Sequence, residues 1–136
     1  SGREGGMSDL IMVSAADMAV LNLLRSYAPL RRELERAIVV SSAAMPPDVA
    51  TLDSRVRYRD ETEGVTRTVS LVYPSQADAA KGKVSVLAPV GTALLGLSEG
   101  ESIEWEFPDG SRRFLTLEKV LHQPERIGNS PLPRAP

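Results

Sequence analysis

"SVLAPVGTALLGL", residues 85–97, decides how this chain folds. Its first half, a run with Val86 and Leu87 side by side, reads as the end of a buried strand. Pro89 cannot donate a backbone hydrogen bond, but its fixed φ suits the first turn of a helix. "VGTALLG" then reads as a short helix, and Gly96 supplies the left-handed residue that commonly follows a helix C-terminus. The stretch therefore predicts a strand, a four-residue joint at Ala88, Pro89, Val90 and Gly91, and a short packed helix.

On both sides of this joint the pattern is that of strands. "SRVRYRD" (54–60) sets Val56 and Tyr58 against Arg55, Arg57 and Arg59, which gives one buried and one solvated face. "ETEG" turns the chain, and "VTRTVSLVYP" (65–74) returns as a second strand. "QADAAKG" reads as a helical turn, and "KVSVLAP" brings the third strand to Pro89. "SIEWEF", the turn "PDG" and "SRRFLTLEKVL" form a closing hairpin.

The N-terminal third reads differently. Ser14 with Asp17 resembles a capping box, so a helix is expected from Ser14, with Met18, Leu21 and Leu24 at helical spacing. Pro29 ends that helix and opens a second, whose stripe is Leu30, Leu34, Ala37 and Ile38. Two helices of about 10 to 13 residues, each on the order of 15 to 20 Å long, predict an antiparallel helical hairpin. "AAMPPDV" (43–49), with its adjacent prolines, marks the boundary between this unit and the sheet.

The expected organisation is a disordered start over 1–13, in part an expression scar, and a helical hairpin over 14–45. A sheet domain follows over 46–122, and a flexible Pro-rich tail over 123–136. The fold class is α+β, with a mostly antiparallel sheet and a short helix packed across it.

Composition narrows the function. The 136 residues are 42% hydrophobic and 25% charged, ordinary values for a globular domain. A net charge of −2 argues against broad binding to nucleic acid, which needs clustered phosphate-neutralising cations. No apolar run approaches the roughly 20 residues that span a bilayer. Absence of Cys removes disulfides and thiolate metal sites, and points to a reducing, cytoplasmic setting. His122 is the one histidine, so neither a zinc site nor a nucleophilic triad has its usual equipment. No cofactor or metal is expected.

The remaining polar clusters have plain readings. Arg55, Arg57 and Arg59 are expected on the solvated face of an edge strand, where charge discourages aggregation. A contact face for an acidic partner is the alternative. Glu104 and Glu106 alternate with Ile103, Trp105 and Phe107 and are expected to face solvent beside Glu99, Glu101 and Asp109.

Taken together, "SRVRYRD", "LVYP" and "SVLAPVGTALLGLSEGESIEWEFPDG" resemble the C-terminal domain of the Gre transcript-cleavage factors. They are most similar to the branch made of regulators of nucleoside diphosphate kinase, over about Pro46 to Leu121. The resemblance implies an FKBP-like domain that docks on RNA polymerase near its secondary channel, with Ala88, Pro89, Val90 and Gly91 as the contact loop. Leu94, Leu95 and Gly96 match the family's helix and are assigned to packing.

Two departures matter. Ala88 stands where Gre factors often have Ser, so a hydroxyl contact is lost. Gre factors also carry a long coiled coil with an acidic, metal-holding tip, whereas "RSYAPLRR" (25–32) has no acid and contains Arg25, Arg31 and Arg32. Such a tip would repel a divalent cation, which wants oxygen ligands.

The expected function is polymerase binding without transcript cleavage, and not enzymatic. The rival readings are a peptidyl-prolyl isomerase, which needs a concave aromatic pocket in a chain only 4% aromatic, and a homodimer formed through the helical hairpin. No direct sequence-specific contact with nucleic acid and no membrane association are expected.

Overall fold

The computed structural model describes residues 11–24 and 26–124. Its centre is a five-stranded sheet whose hydrogen-bonded order is β5-β4-β3-β7-β6. In chain order the strands are β3 (Arg55–Asp60), β4 (Val65–Val72), β5 (Lys83–Ser85), β6 (Ser102–Glu106) and β7 (Arg112–His122). β3 pairs antiparallel with β4 and β7, and β6 pairs antiparallel with β7. β5 is the exception and lies parallel to β4. The chain therefore crosses over between them, through short 3-10 turns at Pro74–Gln76 and Ala79–Lys81.

The alternation read from the sequence sets the faces. Val56, Tyr58, Val69, Leu71, Leu115 and Leu117 are buried, while Arg55 and Arg57 are exposed. Ion pairs hold the outer face, with Arg57 Nε 3.0 Å from Glu118 and Arg59 Nε 3.0 Å from Glu61. The arginine row is thus a solvated sheet face, but on a central strand between β4 and β7 rather than the edge strand expected; Arg57 is answered from β7 and Arg59 from the turn after its own strand. α3 (Pro89–Leu94) packs across the inner face, with Gly91, Thr92, Ala93 and Leu94 buried. The α+β class is the one expected.

The N-terminal third differs from the expected helical hairpin. β1 (Met12–Ser14) leads into α1 (Ala15–Leu21), a 3-10 turn at Asn22–Leu24, α2 (Ala28–Glu35) and β2 (Ile38–Val40). β1 and β2 pair in parallel, so the two helices form the crossover of a small strand–helix–helix–strand unit. Each helix is shorter than predicted, at seven and eight residues. Ile38 belongs to a strand because its amide donates to the Ile11 carbonyl at 2.7 Å, a partner far away in sequence.

Capping at Ser14 follows expectation: the Asp17 amide donates to Ser14 Oγ at 3.0 Å. The Asp17 carboxylate, however, reaches across to accept the Leu52 amide at 3.1 Å.

This unit shares the core of the sheet. Ile11, Val13, Leu21, Leu30 and Leu34 belong to the same buried cluster as Leu71, Leu94 and Leu115. The helical stripe expected to pair between two chains is therefore turned into its own protein. Residues 11–13, expected within a disordered start, are anchored: Ile11 is 1% exposed, and Met12 donates to the Gly96 carbonyl at 3.3 Å.

The C-terminal limit moves as well. Gln123, expected to open the flexible tail, is 1% exposed, and its Nε2 donates to the Pro46 and Val49 carbonyls at 2.7 and 2.9 Å. The rest of the tail, residues 1–10 and Arg25 lie outside the described residues. Among the described residues no helix is long and apolar enough to cross a membrane.

Candidate functional site

Ala88, Pro89, Val90 and Gly91 form the strand-to-helix joint that the sequence predicts, but the four do not share one environment. Ala88 is the residue before α3, in extended conformation with φ −71° and ψ 154° and no side-chain cap. Pro89 takes the first helical position, where its missing N–H costs nothing. Ala88, Pro89 and Val90 are half-buried and reach the surface.

Gly91 is buried, and any β-carbon there would collide with the Ser85 carbonyl oxygen. Its small size lets α3 lie against the end of β5, so its role is close packing. Thr92 reinforces the joint, donating from Oγ1 to the Val86 carbonyl at 2.6 Å, with the Ala88 carbonyl at 3.1 Å.

At the far end of α3, Gly96 has φ +87°, the left-handed conformation expected after a helix. Ile11 fills the space where its side chain would be. Gly96 N–H donates to the Ala50 carbonyl at 2.8 Å and its carbonyl accepts from Met12. Leu94 and Leu95 are buried, as their assignment to packing requires.

Beside Pro89 opens a cleft of about 660 Å³ that sequence reasoning missed. One wall is α2 with the residues that flank it, presenting Tyr27, Pro29, Arg32, Glu33 and Arg36. The facing wall is the run Glu104 to Pro108, continued by Arg112, and Pro89 closes one side. Three of the six aromatic residues of the chain, Tyr27, Trp105 and Phe107, meet here.

Trp105 and Phe107, on the side opposite the solvent-facing glutamates in the sequence pattern, are only half-buried. Trp105 packs one side on the core, and the Arg113 guanidinium lies 4.7 Å from the centre of the Phe107 ring. The i, i+3, i+4, i+7 spacing of residues 29, 32, 33 and 36 was the legible half of the signal. The strand it faces could not be inferred from spacing.

Charges around the cleft are mostly paired. Arg112 Nε lies 3.2 Å from Glu104 and its Nη1 3.6 Å from Glu106. Arg36 approaches Glu33 at 3.9 Å. Arg113 bridges Asp60 at 3.2 Å and Glu63 at 2.9 Å, which holds the β3–β4 turn against the β6–β7 hairpin. The hydrogen bond to Asp60 pushes the Arg113 guanidinium above its ordinary value, so it stays a cation.

Asp60 is 4% exposed and satisfied, since the Thr62 and Glu63 amides also donate to it. The other carboxylates serve the backbone. Glu99 accepts the Val120 amide at 2.7 Å, beside a register shift between β3 and β7. Glu101 accepts the Ser98 amide at 2.9 Å. Asp109, held below the usual carboxylate range chiefly by the Ser111 hydroxyl, closes the β6–β7 turn. His122 lies on the sheet opposite Arg55.

Comparison with known proteins agrees with this geometry. The family model described as "Transcription elongation factor, GreA/GreB, C-term" matches residues 45–121. The "Regulator of nucleoside diphosphate kinase" of Escherichia coli K12 is 44% identical over 100 residues, covering 74% of each chain. The "Transcription elongation factor GreA" of Christiangramia forsetii is 30% identical over 115 residues, covering 85% of this chain and 73% of that one.

A solved structure, "Prokaryotic transcription elongation factor GreA/GreB from Nitrosomonas europaea", superposes with a TM-score of 0.67 at 38% identity. That match covers 85% of this chain and all of the other. With its sheet, its proline joint and more than half its length matched, the chain belongs to the GreA/GreB transcription elongation factor family.

Proposed function

We propose that this protein is a cytoplasmic bacterial transcription regulator that binds RNA polymerase near its secondary channel and does not stimulate transcript cleavage. The observation that carries the reading is the 44% identity, over 74% of both chains, to a protein named as a regulator. The family name, which is that of elongation factors, supports the polymerase as partner.

The N-terminal unit supports the second half of the reading. α1 and α2 contain seven and eight residues, so each is only about 10 to 12 Å long. Such helices do not make a long projecting coiled coil. The connection at residues 25–32 also offers no carboxylate. Ala88, Pro89 and Val90 are the surface part of the docking loop in this proposal, while Gly91 holds the loop's shape from beneath.

Affinity capture with core polymerase, followed by a cleavage assay on backtracked complexes, tests both halves. Capture without accelerated cleavage is the expected result. Failure to bind overturns the partner, and robust cleavage overturns the argument from the acid-free connection.

A further inference from the structure

The cleft beside Pro89 runs along a free sheet edge. β6 ends the order β5-β4-β3-β7-β6, so one side of it has no neighbouring strand. Leu117 N–H donates to the Glu101 carbonyl and Phe107 N–H to the Ser111 carbonyl. In an antiparallel ladder bonded pairs alternate with non-bonded ones, so Ile103 and Trp105 also turn their backbone groups toward β7. Ser102, Glu104 and Glu106 must therefore point their N–H and C=O groups the other way. Among the described residues these groups have no backbone partner.

The cleft follows this edge and is walled on its far side by α2. An open strand edge facing a helix is the geometry that accepts an added strand.

We propose that this groove binds an extended peptide segment of a partner protein, which adds as a sixth strand on β6. The peptide carries an acidic residue directed at α2 and an apolar side chain set against the aromatic residues. Its backbone pairs with Glu104 and Glu106. Trp105 and Tyr27 receive the apolar side chain.

Charge complementarity sets the acidic requirement. Arg112 alone answers both Glu104 and Glu106, so the strand wall keeps a net negative charge, whereas on the helix wall Arg36 is held by Glu33 only at 3.9 Å and Arg32 has no ion pair among the described residues. The helix wall thus offers cations to whatever enters. Pro89 borders both this cleft and the proposed docking loop, but the groups that would bind the peptide lie on β6 and α2, outside Ala88–Val90.

Trp105 is the sole tryptophan and reports on the cleft directly. The probes are terminally blocked hexapeptides of alternating valine and threonine, one carrying a central aspartate and one a lysine in its place. A third is the aspartate peptide with alternate amides N-methylated. Binding is followed by Trp105 fluorescence and by the amide resonances of Ser102, Glu104 and Glu106.

The aspartate peptide is expected to shift these resonances and to bind on the order of tenfold more tightly than the lysine peptide. Arg32→Glu, on an exposed helix position, is expected to erase that preference while leaving thermal unfolding unchanged. N-methylation should abolish binding. Four results overturn the proposal: no β6 shift at millimolar peptide, equal binding of the N-methylated probe, response to a nucleoside diphosphate but not to peptide, or a groove already filled by a second copy in the dimeric protein.

Discussion

Tyr58 and Gly91 show what single side chains do here. The Tyr58 ring is buried against the sheet, and that burial pushes its hydroxyl above the ordinary value of 10.0. The carboxylates of Asp60 and Glu63 push the same way, while Arg67 and Arg113 oppose. A raised pKa means the folded state holds the proton longer than the unfolded chain. The stability it contributes is therefore complete below pH 10 and is lost as pH rises through the folded value. Urea midpoints measured from pH 8 to 11.5 should fall at the alkaline end, and Tyr58→Phe should flatten that fall.

Gly91 gives a sharper prediction. Gly91→Ala places a methyl against the Ser85 backbone, which cannot swing aside as a flexible side chain would. Overpacking of this kind costs about 1–3 kcal/mol, read as a lower denaturation midpoint. The family resemblance placed Gly91 in the contact loop, and a glycine two residues after a proline looks the same in sequence whether it faces solvent or a neighbouring strand. Only the three-dimensional approach of α3 to β5 separates the two.

Among the elements, legibility followed length. β3, β4 and β7 run six to eleven residues, long enough for an alternating pattern to declare itself. β1 and β2 are three residues each, too short for any period, while β5, equally short, was legible because its apolar run ends at Pro89. Ile38 sat at a helical i+8 position and was assigned to the helix, but its pairing with β1 won. The cleft was invisible for the same reason: it joins residues 27–36 to 104–112 through contacts that no local pattern encodes.

α3 was readable end to end, because Pro89 and Gly96 mark its limits chemically. Its first turn carries a prediction of its own. Pro89→Asp keeps a residue suited to a helix N-terminus while placing a charge in the proposed docking loop. Affinity for core polymerase should fall by at least about tenfold with the thermal midpoint nearly unchanged. Unchanged affinity in the folded variant would return Pro89 to a purely structural role.

For the whole molecule, the boundary read at "AAMPPDV" separates two patterns of sequence but not two cores. The family match begins at residue 45, yet Ile11, Val13, Leu21, Leu30 and Leu34 pack into the same cluster as the sheet. Burying one such side chain stabilises by about 1.5–3 kcal/mol, so the five contribute roughly 8–15 kcal/mol. That is comparable to the whole net stability of a domain, about 5–15 kcal/mol. A fragment spanning residues 45–124 is therefore expected to lack a cooperative unfolding transition. A cooperative melt near that of the full chain would show the N-terminal unit to be dispensable.

The contact of Ile11 with Gly96 also bears on how the protein is made. Synthesis delivers β1 before α3, so its seat against the α3 terminus exists only once residue 97 has followed. Until then the nascent chain carries Leu21, Leu30 and Leu34 without the surface that covers them. β1 is thus synthesised well before the surface that secures it, and the interval between the two is when this chain most needs protection from its neighbours.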